Sequence, residues 1–344
     1  MVLLGKSLNC PFYNAILVFM KTIFITIPSY EDPDLIKTID AALANASYPK
    51  SLHFAIALQY KNVPMPQIEK YYRRPNMRFT YYDVDTRPGV CQVRHDLLDL
   101  YDGQDYLLML DSHMTFMPNW DEILIREYEN IRQQESNSSV IITHTTGDTP
   151  EVSCQCFYSD DICEQPHRLM VFKVQEARKS LLQFEPVTHM QKILNRTVSM
   201  VATNTNKNYE LVRPAAAGFF FSSGQWVSEV GIVDGVNIIG EEALMAFRSY
   251  LAGWDIYTLK NIDIIGHDAK SYNITVYGEE MPTNKLYSRH GDDQKISSEI
   301  NRAFLFNSGR FSVSSAKRTP EEFWYEIGLA EEFIRAARAF RDYQ

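Results

Sequence analysis

The first half of the chain alternates short apolar runs with amphipathic segments. Four runs rich in β-branched and aromatic residues predict strands, at residues 21–27, 53–60, 77–84 and 105–111. Two of the intervening segments, residues 32–46 and 89–101, carry apolar residues at helical spacing. Strands that alternate with helices predict an α/β fold, with a mostly parallel central sheet and helices on both faces.

The second half is less regular but ends in a well-marked helix. We predict helices at 121–134 and 240–253, and strands at 139–144, 255–259 and 261–268. Residues 319–343 predict the final helix, because Thr319 and Glu322 form a capping box and Pro320 takes the first helical position. One apolar face of this helix is expected to pack on the domain: Phe323, Ile327, Phe333, Ile334, Ala337 and Phe340.

The N-terminal region contains an apolar run that could suggest a membrane anchor. Residues 15–27 are too short to span a bilayer, Lys21 interrupts them, and no small-residue cleavage site follows. We therefore expect a cytoplasmic protein without stable membrane insertion, in which residues 1–19 are an extension and Met20 could be the natural start. A membrane-anchored form is the alternative.

Composition and charge narrow the range of partners. The 344 residues are enough to bury a large core, and the formal net charge is −9. An acidic chain is a poor match for nucleic acid, because phosphate binding needs a basic face. We therefore expect no nucleic acid partner.

Five cysteines are an odd number and do not indicate a disulfide scaffold. Cys10 and Cys91 are isolated, which is typical of buried thiols. The other three lie close to a histidine in the sequence: Cys154, Cys156, Cys163 and His167. Zinc binding, a disulfide and free thiols are all open for this group, since its spacing matches no common zinc module.

The buried run 105–111 ends on an acid, Asp111, and His113 follows two residues later. A turn after a strand points side chains at i and i+2 in the same direction, so these two could coordinate one divalent cation. A carboxylate together with an imidazole suits Mn²⁺ better than Mg²⁺, which prefers oxygen ligands. In open α/β sheets ligands bind beyond the carboxyl ends of the strands, which is where this pair falls. The alternative is a turn that is merely polar.

Further polar groups follow in a distinctive order. His267 ends a β-rich stretch, Glu241 and Glu242 begin a helix, and Gly218 lies in a small-residue segment where backbone could touch a ligand. In chain order these segments resemble GT-A glycosyltransferases that carry a D-x-H metal motif, such as the polypeptide N-acetylgalactosaminyltransferases. The corresponding residues are Ala217-Gly218-Phe219, Val233-Asp234, Ile239-Gly240-Glu241-Glu242, Phe247-Arg248 and Ile265-Gly266-His267.

This chain departs from that pattern at three positions. The pattern's tryptophan is missing, one glycine is Ala217, and the asparagine is Glu242. Three segments are more similar to the cytoplasmic N-acetylglucosaminyltransferases that modify hydroxyproline on protein substrates: residues 27–35, 87–125 and 240–259.

The resemblance implies a division of the chain. It gives an N-terminal extension at 1–19, a GT-A catalytic domain at 20–270 with an insertion or acceptor-side region at 145–212, and a C-terminal helical extension at 271–344. The implied reaction is a metal-dependent, retaining transfer of N-acetylglucosamine from UDP-GlcNAc to a hydroxyl group, on a protein acceptor. Transfer to a glycan and a catalytically weak UDP-sugar-binding relative are the alternatives. A metallohydrolase is disfavoured, because no further acid–histidine motif supplies a second metal.

The resemblance also implies roles for individual residues. Asp111, His113 and His267 would hold Mn²⁺, with Mg²⁺ as the alternative, and Glu241 and Glu242 are the candidate catalytic residues. The donor UDP-sugar would contact Thr26, Pro28, Ser29, Tyr30, Arg87, Arg94, Asp111, Ser112, Ala217 and Gly218.

Structural roles are open for several of these residues and their neighbours. Arg94 could pair with Asp96 or Asp99, and Glu242 could cap its helix. Trp120 is expected in the core. His290 could close over the diphosphate or lie on an exposed loop.

Overall fold

The computed structural model describes most of the chain. The described residues are 21–61, 65–84, 88–143, 207–213, 215–235, 241–260, 264–267, 293–326 and 330–341. Several predictions concern residues outside these ranges, namely those for Cys10, Arg87, Cys154, Cys156, Cys163, His167, His290 and Ile327.

The central feature is a large mixed sheet. The strands are β1 (Ile23–Tyr30), β2 (Leu52–Gln59), β3 (Met77–Tyr82), β4 (Tyr106–Leu110), β5 (Met114–Phe116), β6 (Val140–Thr143), β7 (Tyr209–Val212), β8 (Phe219–Ser223), β9 (Asp255–Leu259) and β10 (Ile265–His267). Eight of them form one sheet in the order β3-β2-β1-β4-β8-β6-β9-β7. Only β8 and β7 run antiparallel to their neighbours, so the expected mostly parallel sheet is confirmed.

Helices cover both faces of this sheet. They are α1 (Leu35–Asn45), α2 (Met65–Tyr72), α3 (Val90–Leu98), α4 (Trp120–Gln134), α5 (Gln225–Glu229), α6 (Glu241–Leu251), α7 (Asp293–Phe306), α8 (Pro320–Glu326) and α9 (Ala330–Arg341). Successive strand residues point to opposite faces, so Ile25 and Leu108 pack with α1 and α4, whereas Phe24 and Leu107 pack with α3 and α6. The two cores confirm the α/β fold class expected from the alternating pattern.

Two buried side chains agree with the sequence expectation. Trp120 is fully buried and donates its indole N–H to the carbonyl of Ala42 at 2.8 Å. Cys91 on α3 is buried, and its Sγ lies 3.3 Å from the carbonyl oxygen of Val233.

Strand β10 lies within the strand predicted at residues 261–268, but it belongs to a second, smaller sheet. Strand β10 does not extend the central sheet but pairs antiparallel with β5 in a separate two-stranded sheet. In this register His267 lies opposite Met114. The short β5 follows the Asp111–His113 turn, so β10 is held next to that turn.

The C-terminal segment is helical where the structure describes it, as the sequence predicts. The described parts are α8 and α9, and residues 327–329 lie outside the described residues. The capping box is confirmed, because the N–H of Thr319 donates to Glu322 at 2.6 Å and the N–H of Glu322 donates to Oγ1 of Thr319 at 3.2 Å. Of the expected apolar face, Phe323, Phe333 and Ala337 are buried, while Ile334 is exposed.

The lengths and compositions of the described helices decide whether any of them could cross a membrane. Among the described residues, no helix is both long enough and apolar enough to cross a bilayer.

Candidate active site

Asp111 and His113 meet at the carboxyl end of β4. Their side chains point the same way, and His113 Nε2 lies 4.0 Å from Asp111 Oδ2. Asp111 and His113 are the two side chains here that would hold a divalent cation, which would supply positive charge at this edge of the sheet. The Asp111 side chain is 31% exposed, so a ligand can approach it from solvent. The donor set of one carboxylate oxygen and one imidazole nitrogen suits a cation such as Mn²⁺.

Asp32 lies behind His113 and was not identified from the sequence. His113 Nδ1 donates to Asp32 Oδ2 at 2.8 Å, and this bond fixes the orientation of the imidazole, with Nε2 towards Asp111. Ser112 Oγ donates to the same carboxylate oxygen, and the N–H of Asp34 donates to Oδ1 at 2.8 Å. Asp32 is therefore a buried, fully engaged carboxylate that orients the imidazole.

The surroundings also change the protonation of His113. Burial lowers the pKa of the imidazole, but the hydrogen bond to Asp32 and the negative charges of Asp111 and Asp32 outweigh burial. The pKa of His113 therefore lies above its ordinary value.

Helix α1 fixes the turn that carries both candidate ligands. Thr38 on this helix donates its hydroxyl to the carbonyl of Ser112 at 2.8 Å and accepts the N–H of Met114 at 2.9 Å. These two bonds hold the backbone on either side of His113. The turn is therefore anchored to the helix that follows β1.

Arg94 on α3 joins two carboxylates from different parts of the chain. Its Nη2 donates to Asp111 Oδ1 and its Nη1 donates to Glu241 Oε1, both at 2.8 Å. Burial opposes the charged form, but Glu241 and Asp111 raise the pKa of Arg94 above its ordinary value. The expected alternative pairing with Asp96 is wrong, because Asp96 instead accepts the hydroxyl of Tyr82 at 2.7 Å.

The geometry limits what Arg94 and Glu241 can contact directly. Arg94 is 4% exposed and Glu241 is 3% exposed. Both outer nitrogens of the guanidinium are already engaged by carboxylates. A ligand on the surface where Asp111 is exposed would therefore meet little of either side chain.

Glu242 differs from its neighbour Glu241. It is partly exposed, and its Oε1 accepts the N–H of Ala217 at 2.9 Å. Removal from water raises the pKa of Glu242 to about 7, against the opposing hydrogen bond from Ala217. This bond connects the start of α6 to the segment that precedes β8. Glu242 therefore does more than cap its own helix.

Gly218 lies directly against the candidate metal ligand. Because β8 is antiparallel to β4, its first residues lie beside the last residues of β4, with Phe219 opposite Leu110. A Cβ atom on Gly218 would lie only 2.6 Å from Asp111 Oδ2. Any side chain at this position would collide with that oxygen, so the close approach of β8 to Asp111 requires glycine.

The expected donor-binding residues of β1 fall into two groups. Thr26 and Ser29 are fully buried, and Ser29 Oγ lies 2.7 Å from the hydroxyl of Tyr60. Pro28 and Tyr30 are partly exposed near the carboxyl end of the strand. Only the second pair is accessible to a ligand from solvent.

The candidate third ligand, His267, is located by its backbone. Its pairing with Met114 places it one residue along from His113, across the small sheet. Within the described part of the chain, no group of three histidine, cysteine, aspartate or glutamate side chains is arranged to hold a metal ion. Asp111 and His113 are thus the two candidate ligands whose side-chain positions are described.

Comparison with known proteins identifies the family. The sequence model of the Glycosyltransferase (GlcNAc) family matches residues 60–325, which is well over half of the chain. The chain belongs to this family. It is therefore a glycosyltransferase, and the matched region contains Arg94, Asp111, His113, Glu241 and Glu242. No curated protein matches the chain in sequence.

Several solved structures are similar to this glycosyltransferase. One is the complex of S. aureus TarS 1–349 with UDP-GlcNAc, which is 11% identical in sequence and has a TM-score of 0.48. The match covers 93% of this chain and 73% of the TarS chain. Another is GalNAc-T7 with UDP, GalNAc and Mn²⁺, with 13% identity, a TM-score of 0.49, and coverage of 92% of this chain and 56% of that chain. A mycobacterial protein matches at 9% identity and a TM-score of 0.43, covering 87% of this chain and 79% of its own.

We predict that Asp32→Asn lowers the pKa of His113. An amide carries no charge to stabilise the imidazolium, so the raised pKa should fall towards or below its ordinary value. NMR titration of the His113 ring protons in metal-free protein measures the change. Asp34→Asn is the matched control, because Asp34 acts on His113 only through its charge and should shift the titration less. An unchanged His113 titration in Asp32→Asn would contradict the orienting role.

Proposed function

We propose that this glycosyltransferase transfers N-acetylglucosamine from UDP-GlcNAc to a hydroxyl group of a protein acceptor, with retention of anomeric configuration and with a divalent cation. The observation that carries the proposal is the convergence of Asp111, His113, Gly218 and Glu242 at the carboxyl end of β4, in a chain of the GlcNAc family. A glycan acceptor is the alternative.

The acidic groups around this site support a cation. Five carboxylates lie in it or directly behind it: Asp32, Asp34, Asp111, Glu241 and Glu242. Two positive side chains pair with members of this set, since Arg94 bonds Asp111 and Glu241 and Lys37 bonds Asp34. Excess negative charge next to a diphosphate is unfavourable unless a cation offsets it.

The cation would be held by Asp111 Oδ2, His113 Nε2 and, on the register of β10, His267. Mn²⁺ fits this mixed oxygen and nitrogen set better than Mg²⁺. When bound, it supplies charge neutralisation for the diphosphate that leaves from the donor sugar.

The protein's own residues would bind and orient the donor around that position. Pro28 and Tyr30, near the end of β1, are accessible for contact with the uridine. Gly218 leaves room beside Asp111 because any side chain there would collide with the carboxylate. Arg94 does not contact the donor in this proposal, since its outer nitrogens are bonded to Asp111 and Glu241.

We assign sugar and acceptor contact to Glu242 and a supporting role to Glu241. Glu242 is the partly exposed acid of the pair, whereas Glu241 would have to leave Arg94 to reach a ligand. In a retaining transfer on one face of the sugar, the leaving phosphate can accept the proton of the incoming hydroxyl. Glu242 would therefore act by orientation and not as a general base.

The first expected result concerns the cation ligands. Asp111→Asn, His113→Ala and His267→Ala should each weaken Mn²⁺ binding and Mn²⁺-dependent UDP binding by at least about 10-fold, because each removes a ligand. Isothermal titration of Mn²⁺ and of UDP into each protein measures both constants. His53→Ala is the control, since His53 lies near the opposite end of β2 from the site. Unchanged Mn²⁺ affinity in His267→Ala would remove His267 from the site.

The second expected result separates the two adjacent acids. Glu242→Gln should lower turnover of UDP-GlcNAc by about 100-fold, because a misoriented acceptor loses much of the benefit of proximity. UDP affinity should stay within about 3-fold of wild type, since uridine and cation contacts lie elsewhere. Release of UDP with acceptor and Mn²⁺ present measures turnover. Glu210→Gln, on the edge strand β7, is the control, and equal turnover in the two variants would contradict the assignment.

The third expected result concerns stereochemistry. A retaining transfer from UDP-GlcNAc gives an α-linked product, because the hydroxyl enters on the face that the diphosphate leaves. NMR of the anomeric proton of the product distinguishes α from β linkage. A β-linked product would overturn the retaining mechanism and would require a carboxylate base on the opposite face of the sugar.

A further inference from the structure

Helix α6 contains a buried arginine, Arg248, about two turns after the acids at its start. Its Nη2 donates to the carbonyl of Val230 at 2.6 Å, and its Nη1 donates to the carbonyls of Phe311 and Ser312 at 2.9 and 2.8 Å. Among the described residues no carboxylate pairs with this guanidinium, and burial lowers the pKa of Arg248 to about 10. A buried charge without a counter-ion is costly, so the benefit of Arg248 lies in the three carbonyls that its rigid fork of donors fixes.

We propose that Arg248 is a positioning residue for the acids of α6, because it holds this helix between residues 230–235 and the C-terminal residues 311–318. The inference rests on the role proposed for Glu242 in sugar transfer and concerns what keeps that side chain in place. Arg248 contacts no substrate in this proposal and acts through the helix that carries it.

Residues 230–235 are bound on their other side to α3. His95 Nδ1 lies 2.7 Å from the carbonyl oxygen of Ile232, and Cys91 Sγ lies 3.3 Å from the carbonyl oxygen of Val233. The carbonyl that Arg248 binds therefore belongs to a segment that α3 already holds.

Helix α6 is thus connected to α3 at two places. The first is direct, because Arg94 on α3 donates to Glu241 at the start of α6. The second lies two turns further along, where Arg248 bonds the segment 230–235. Two contacts about 10 Å apart along the axis fix the direction of a helix, whereas a single contact lets it tilt. Without the second contact, α6 could tilt about its start, and Glu242 would change direction.

The C-terminal residues hold the other side of α6. The N–H groups of Lys317 and Arg318 donate to the carbonyl of Leu251 at 2.7 and 3.1 Å, which satisfies an acceptor at the end of the helix. Phe323 packs edge-on against Phe247, with ring centroids 5.1 Å apart. This part of the chain, expected to be an extension of the catalytic domain, therefore contacts α6 from its middle to its end.

The test compares substitutions at two buried arginines in the full-length protein. Arg248→Met removes the guanidinium and keeps apolar bulk, whereas Arg248→Lys keeps the charge but loses the fork of donors. Arg213→Met is the matched control, because Arg213 is also 8% exposed and bonds Glu326 in the C-terminal region. Its contact with α6 is at the ring of Tyr250, at the end of the helix remote from the acids.

Two measurements are made on each protein. Hydrogen–deuterium exchange followed by mass spectrometry reports how firmly residues 230–235 and 241–246 are held. We expect exchange in both segments to be at least about 10-fold faster in Arg248→Met, with an intermediate rate in Arg248→Lys and rates close to wild type in Arg213→Met.

The second measurement is UDP release from UDP-GlcNAc with Mn²⁺, in which water accepts the sugar. In Arg248→Met kcat should fall by about 10- to 100-fold, because a small displacement of an orienting group is enough for such a loss. KM for UDP-GlcNAc should stay within about 3-fold of wild type, since the uridine contacts lie elsewhere. Arg248→Lys should recover part of kcat, and Arg213→Met should keep kcat within about 3-fold of wild type.

Unchanged exchange in both segments of Arg248→Met overturns the proposal, as does an unchanged kcat in a variant whose exchange has risen. Equal effects in Arg213→Met also overturn it, because they would follow from loosening the core. If Arg248→Met does not fold, Arg248→Lys decides, and wild-type exchange and kcat in that variant overturn the proposal. If wild-type protein releases no UDP from UDP-GlcNAc, the proposed function fails, and faster exchange in Arg248→Met but not in Arg213→Met still supports the positioning role.

Discussion

The buried guanidinium of Arg94 is the interaction on which the geometry of the site depends. A charge removed from water is costly, and this one is tolerated because two carboxylates bond it directly. Asp111 comes from the end of β4 and Glu241 from the start of α6, so one side chain on α3 fixes three elements relative to one another. Asp111 could not keep its orientation if any of the three moved, and the oxygen that faces His113 would turn away.

The antiparallel strand β8 makes this meeting of distant residues possible. In a purely parallel sheet, every strand would begin at the edge opposite the site. Because β8 runs the other way between β4 and β6, the residues that precede it lie at the carboxyl end of β4. Gly218 then touches Asp111, and Ala217 donates its N–H to Glu242. One reversed strand thus brings together groups that are more than a hundred residues apart in the chain.

The sequence predicted local features well and long-range partners poorly. The strands of the first half and the helices α1, α3 and α4 follow from apolar spacing, and the Asp111–His113 pair follows from its place after a buried run. The role of Asp32 was missed, because a carboxylate in a loop gives no local sign of a histidine about eighty residues away. A signal was present, since Asp32 lies just past the end of β1, where such a sheet gathers its polar residues. The partners of Arg94 were missed for the same reason, and nearby acids were the natural but incorrect choice. Strand β10 is the clearest case in which local sequence is not enough, because its composition predicts a strand but not the sheet that the strand joins.

Glu241 and Glu242 show how one local sequence yields two different acids. The first pairs with Arg94 at 2.8 Å, and the second has its pKa raised to about 7 by removal from water. Adjacent carboxyl groups held in different environments can take different roles, as in other enzymes that separate two acids in this way.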